Sequence, residues 1–167
     1  MSSDDKAPEW HTTEWFNTPS PLSLADHAGR IVMLTAFQML CPGCVGSALP
    51  QALRVAETFN SSDVAVIGLH SVFENHDAMK SNALRVFLHE YKIQFPVGVD
   101  EPGDHDLPRT MQAYGFQGTP TTLLFDREGR LRRHIFGHIS DLQLGAEIMA
   151  LICGRYRRNG QGASRVP

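Results

Sequence analysis

The chain is expected to fold as an α/β domain, with a central mixed β-sheet, helices on both faces, an N-terminal extension, and a C-terminal β-hairpin plus helix. Three observations carry that expectation. Ile31–Phe37 and Val64–His70 are nearly unbroken apolar runs of strand length, as in strands covered on both faces. Each run is followed by apolar residues at helical spacing, the alternation that builds a parallel sheet. Late in the chain, Thr121–Phe125 and Leu131–Phe136 flank Asp126-Arg-Glu-Gly-Arg130, a hairpin turn in which Gly129 takes the position needing positive φ.

The elements follow in order. Residues 1–14 read as a flexible N-terminus, 15–154 as the single domain, and 155–167 as a basic flexible tail. Residues 15–24 carry Pro19 and Pro21 and can offer only short, edge-like strands. Residues 25–30 read as a turn before the first buried strand. From Pro42 to about Phe59, the residues Leu49, Leu53, Ala56 and Phe59 mark a helix, which Pro50 should kink. After Val64–His70 comes a helix over roughly 76–92. Met79, Ala83, Phe87 and Tyr91 share its expected buried face, and Asn75 or Asp77 is available as cap. A short strand spans 95–99. Residues 100–108 form an acidic loop, with Asp100, Glu101, Asp104 and Asp106 expected in solvent, and a short helix follows around Arg109 to Tyr114. Ser140-x-x-Gln143 is a capping box for the last helix, which Gly154 ends. Cys153 falls beside Ile148 and Ile152 on that helix's apolar side and is expected in the core.

Composition narrows the function. The 167 residues suit one domain with a sizeable core, and 42% hydrophobic against 20% charged residues reads as globular. Net charge is -3, and Arg155, Arg157, Arg158 and Arg165 lie in the tail. Without them the body holds 11 basic against 18 acidic residues, so no basic stripe argues for nucleic acid. No stretch approaches the ~18 apolar residues of a membrane span. Residues 1–10 do not read as a signal peptide. The expected setting is therefore the cytoplasm; an export signal ahead of this chain would make it periplasmic. Three cysteines are too few for a disulfide scaffold. In a reducing compartment, the close pair in Cys41-Pro42-Gly43-Cys44 points to redox catalysis or metal binding. Metal is disfavoured, because one Cys-x-x-Cys is half a zinc site and His134 and His138 lack the paired spacing of the other half.

A strand ending in Cys-x-x-Cys at the start of a kinked helix, then Gly118-Thr119-Pro120-Thr121 opening a late strand, then a hairpin with Asp126-x-x-Gly129, resembles the thioredoxin superfamily. The N-terminal segment and the insertion from His70 to Val99 most resemble its TlpA/ResA-like or AhpC/TSA-like (redoxin) branch. The resemblance covers about residues 15–153. It implies a thioredoxin-like fold and a thiol-disulfide oxidoreductase that needs no cofactor. Cys41 would be the nucleophile and Cys44 the resolving cysteine. Pro120 would be the cis-proline facing them, and Thr119 would offer its backbone to an extended substrate. Pro42, Gly43, Thr119 and Pro120 would thus border the substrate, a disulfide-containing protein or small thiol, with an external thiol reductant closing the cycle. The sequence departs from the family at four places. Leu40 replaces a tryptophan, Thr35 a buried aspartate, and Ser47 the glutamate of ResA-like proteins, while Pro50 lies six rather than five residues after Cys44.

The residues suit that chemistry. Thiolate is the reactive form. Cys41 is expected at the N-cap, where unpaired N–H groups and the positive helix end favour negative charge. Pro42 takes the first helical position, which needs no N–H. Gly43 leaves the approach open, and a spacing of three sets Cys44 beneath Cys41. With no acid at Thr35 or Ser47, the candidates for proton transfer are His70, at the end of the second buried strand, and Glu74. Two other functions share the fold. A peroxiredoxin-like peroxidase needs Pro-x-x-x-Thr/Ser-x-x-Cys, but Gln38 and Leu34 precede Cys41, and Cys41 and Phe37 precede Cys44, at those positions. A non-catalytic protein-binding module would use the Thr119-Pro120 groove and leave the cysteine pair idle.

Overall fold

β2 (Ile31–Phe37) and β3 (Val64–His70) are buried at every position and pair in parallel, Ile31 opposite Val64 through Phe37 opposite His70. They form the centre of a six-stranded sheet in the order β1-β4-β3-β2-β5-β6, seen in a computed structural model that describes residues 6–154. β4 (Val97–Asp100) is parallel to β3. β1 (Thr12–Phe16), β5 (Thr121–Phe125) and β6 (Leu131–Phe136) run antiparallel to β4, β2 and β5 respectively. The sheet is mixed, as expected. Its antiparallel pairs lie on both flanks, not only at the hairpin.

Side chains alternate across β2. Ile31, Met33 and Phe37 face one core with α1 (Leu49–Thr58), α2 (Ser81–Glu90) and α4 (Asp141–Ile152). Val32, Leu34 and Ala36 face the other, with Met111 and Tyr114 of α3 (Arg109–Tyr114). Helices therefore cover both faces. The four α-helices and strands β2 to β6 match sequence signals in type, with several bounds and faces different, whereas β1 lies mostly in residues read as a flexible N-terminus.

The N-terminal strand is Thr12–Phe16, ahead of Pro19 and Pro21. The packed chain begins earlier than expected: Ala7 and Trp10 are buried in the second core, and the Tyr114 hydroxyl donates to the Pro8 carbonyl at 2.5 Å. The remainder of that terminus, residues 1–5, and the basic tail 155–167 lie outside the described residues.

The helix expected over 76–92 is divided. A 3-10 turn at His76–Ala78 ends, and Lys80, in extended backbone, restarts the chain as α2. Met79 is buried and Ala83 and Phe87 pack against the same core as expected, Leu84 and Leu88 are the most deeply buried residues of α2, and Tyr91 is 49% exposed. Asn75 precedes the 3-10 turn with positive φ and makes no side-chain cap. At α4, Ser140 Oγ accepts the Gln143 N–H, but the Gln143 side chain reaches Glu147, so only half of the capping box forms. Cys153 is exposed at the C-cap of α4, not in the core, because the helix ends at Ile152 before another buried turn is made.

Asp100 is the largest correction to the acidic loop. It is buried, not solvated, and accepts the Ser71 hydroxyl at 2.8 Å, the Thr110 N–H at 2.8 Å and the Met111 N–H at 3.1 Å. One carboxylate thus satisfies the free amides at the start of α3 and ties them to the end of β3. Burial pushes its carboxyl up, and the bonds from Thr110 and Ser71 pull it back. Asp100→Ala leaves three buried donors without partners and should cost about 3 kcal/mol. A thermal melt should show the midpoint falling on the order of 10 °C; an unchanged melt would contradict this.

Candidate functional site

The site forms where β2 ends and a helix begins. Cys41 is the N-cap, and its carbonyl accepts the N–H groups of Cys44 at 3.0 Å and Val45 at 3.1 Å. Pro42 is the first helical residue, as its missing N–H allows. The Cys44 N–H also donates to Cys41 Sγ at 3.2 Å. The sulfur thus occupies the place of a capping oxygen, at the helix end that favours negative charge. Cys41 is half-buried, whereas Cys44 is 0% exposed, and both thiols are free. Burial, and then the neighbouring Cys41 sulfur, push the Cys44 thiol up to about 12.

The helix is not bent as a simple proline kink. Cys44–Ala48 is a π-helical turn, closed by the Leu49 N–H on the Cys44 carbonyl. Pro50 then follows directly on that π turn, at the second position of α1. A π turn accommodates one extra residue, and the chain has one extra residue between Cys44 and Pro50.

The Thr119–Pro120 peptide is cis and faces the cysteines. The Cys41 thiol donates to the Thr119 carbonyl at 3.5 Å. A Cβ on Gly43 would come 3.4 Å from Pro120 Cδ, so glycine keeps the gap between the cysteine loop and Pro120 open. Pro42 and Gly43 are exposed, Thr119 and Pro120 half-buried.

Among the described residues, neither Thr35 nor Ser47 places an acid below the cysteines. Thr35 shares the Cys44 face of β2, is fully buried, and its hydroxyl has no partner among the described residues. Ser47 pairs with His138 Nδ1 at 2.8 Å. The polar group that does enter is Gln38, 1% exposed, which contacts Glu74 and Thr119. Its position in the sequence held a weak signal: a glutamine directly after the buried strand and three residues before Cys41.

This geometry can be set beside known proteins. Residues 2–141 match the Redoxin family model. The chain belongs to the Redoxin family. It is 52% identical to a thioredoxin-like superfamily protein of known crystal structure, with a TM-score of 0.87 over 95% of this chain and 99% of that one. It is 44% identical to a thiol-disulfide isomerase from Corynebacterium glutamicum, with a TM-score of 0.85 over 89% and 97%. It also resembles the thiol-disulfide oxidoreductase ResA of Bacillus thuringiensis subsp. konkukian (strain 97-27), at 26% identity over 124 residues. That match covers 74% of this chain and spans 64% of the relative's length. The redoxin is thus a member of the thioredoxin superfamily, in its TlpA/ResA-like branch.

In this redoxin the two proton-transfer candidates part ways. His70 lies opposite Phe37 in the sheet, and the two rings are 5.3 Å apart. It borders a cleft of about 740 Å³ with Met79, Val99 and Asp100. Its Nε2 is buried without a partner, and no hydrogen bond joins His70 to either cysteine among the described residues. Glu74 is exposed and reaches the site only through Gln38. His134 stands edge-on to Phe116, 5.7 Å between centroids. Among the described residues, no helix is long and apolar enough to cross a membrane.

Proposed function

We propose that this redoxin is a thiol-disulfide oxidoreductase in which Cys41 attacks and Cys44 resolves. The observation that carries the reading is the asymmetry of the pair. Cys41 is accessible at the helix N-terminus with an N–H on its sulfur, and Cys44 is buried with its proton held tightly. The Cys41 thiolate attacks a substrate disulfide. One substrate sulfur joins Cys41, and the other leaves as thiolate. The Cys44 thiolate then attacks Cys41 Sγ and releases the second substrate sulfur. The protein dithiol loses two electrons, and an external thiol reductant restores it. The ResA relative and the Corynebacterium isomerase, both thiol-disulfide enzymes by name, support this class. In a reducing cytoplasm the net direction would be reduction.

Substrates would be disulfide-containing proteins or small thiols. An extended segment would lie beside Thr119 and Pro120, next to the exposed Gly43. Of the two proton-transfer candidates, Glu74 is the better supported, because Gln38 links it to Thr119.

Trapping tests the order of events. Cys44→Ser, mixed with a disulfide-bearing peptide, should accumulate a covalent adduct on Cys41 visible by mass. An adduct mapped elsewhere, or none, would sink the reading.

A further inference from the structure

We propose that Gln38 is a positioning residue that turns the Thr119 hydroxyl into a hydrogen-bond donor for the Cys44 sulfur, a role that rests on the exchange reading above. Resolution requires a thiolate on Cys44, which is fully buried. Neither Thr35 nor Ser47 supplies an acid there. Something polar must face that sulfur when its proton leaves.

Gln38 has the geometry to arrange this. Its backbone carbonyl accepts the Cys41 N–H at 3.2 Å, which fixes it beside the cysteine loop. Its side-chain Oε1 accepts the Phe73 N–H at 3.3 Å. A backbone N–H can only donate, so this contact sets which way the amide points. Nε2 then carries both hydrogens toward Glu74 Oε1 and Thr119 Oγ1, each at 3.4 Å. Because Nε2 has no lone pair to offer, Thr119 Oγ1 must accept from it. That leaves the single Thr119 hydroxyl hydrogen free to point elsewhere. Against the burial that disfavours it, the Gln38 backbone and then the Thr119 side chain favour the ionised form of the Cys44 sulfur. Glu74 anchors the outer hydrogen of the amide, which explains why an exposed carboxylate matters to a buried glutamine.

A small aromatic disulfide that releases a coloured thiolate separates the two steps. The reduced protein attacks it through Cys41, forming a mixed disulfide and one coloured thiolate. Cys44 then attacks Cys41 Sγ and releases the second. The dithiol is oxidised, the reagent is reduced to two thiolates, and the protons pass to buffer. In stopped flow, Gln38→Leu and Thr119→Val should slow the second release roughly tenfold more than the first, as expected for a lost hydrogen bond to a charged group. The pH midpoint of the second release should move up. Thr119→Ser, which restores the hydroxyl, should recover most of what Thr119→Val loses, and this pair decides the matter if Gln38→Leu fails to fold. A second release unchanged in rate and pH midpoint in Thr119→Val would overturn the proposal. So would equal slowing of both releases in Thr119→Val and Thr119→Ser. A wild-type chain that makes only the first release would overturn the exchange reading itself, and this inference with it.

Discussion

Cys41→Ser is expected to reduce insulin disulfides, with dithiothreitol as donor, no faster than the buffer alone. Serine keeps the shape of the N-cap and can still accept the Cys44 N–H. What it lacks is the nucleophilic sulfur, so the expected loss is at least ~100-fold. The fold should be untouched. Cys41 is half-buried, and a single-atom exchange at such a position lies within about 0.5 kcal/mol. Loss of turnover with an unchanged melting curve therefore separates chemistry from structure. Cys153→Ser is the matched control: it alters the exposed C-cap of α4 and should retain full turnover. If Cys41→Ser kept more than a few per cent of wild-type activity, another cysteine would have to be the nucleophile.

The second large effect is on stability against pH, and it comes from His70. Burial holds this imidazole well below its ordinary value of 6.5, at about 4. The unfolded chain therefore takes up a proton on His70 as pH falls through 6.5, while the folded chain resists until about 4. Between those values the unfolded state binds more protons, so stability falls with falling pH. Above 6.5 and below 4 the group adds no slope. Across the window the loss is about 3 kcal/mol. His27 shifts in the same direction, by burial and the Arg30 charge, and adds to the trend. Chemical denaturation of wild type and His70→Gln between pH 7 and pH 4 should give curves that converge by roughly that amount. Parallel curves would mean that His70 titrates normally in the fold.

The same residue shows where reading the sequence reaches and where it stops. The run Val64–His70 announced a buried strand, because unbroken apolar residues have one stable placement in an α/β sheet. The local backbone of the candidate site was also legible. Cys41 at the N-cap and Pro42 at the first helical position sit as expected, since each rests on local backbone chemistry, and the peptide before Pro120 is cis, as the family resemblance implied. Asp100 was not legible. A carboxylate in an acidic loop looks solvated until Ser71, 29 residues earlier, and the amides of α3 are brought to it. Gln38 failed for the same reason: its partner Thr119 is 81 residues away. The helix expected over 76–92 is broken at Lys80, in extended backbone, yet Met79, Ala83 and Phe87 still pack on the core beside Leu84 and Leu88, and of the expected face Tyr91 alone is exposed. Local signals carried element type, and partners distant in sequence decided which polar groups were buried.

The most direct test of the account is the equilibrium of the full chain with glutathione redox buffers, followed by alkylation and peptide mapping. The account predicts a single two-electron transition within each chain. Three free thiols should become one, with the disulfide between Cys41 and Cys44 and Cys153 still alkylated. A chain that keeps all three thiols in fully oxidising buffer, or one that pairs Cys153 with either of the others, would contradict it.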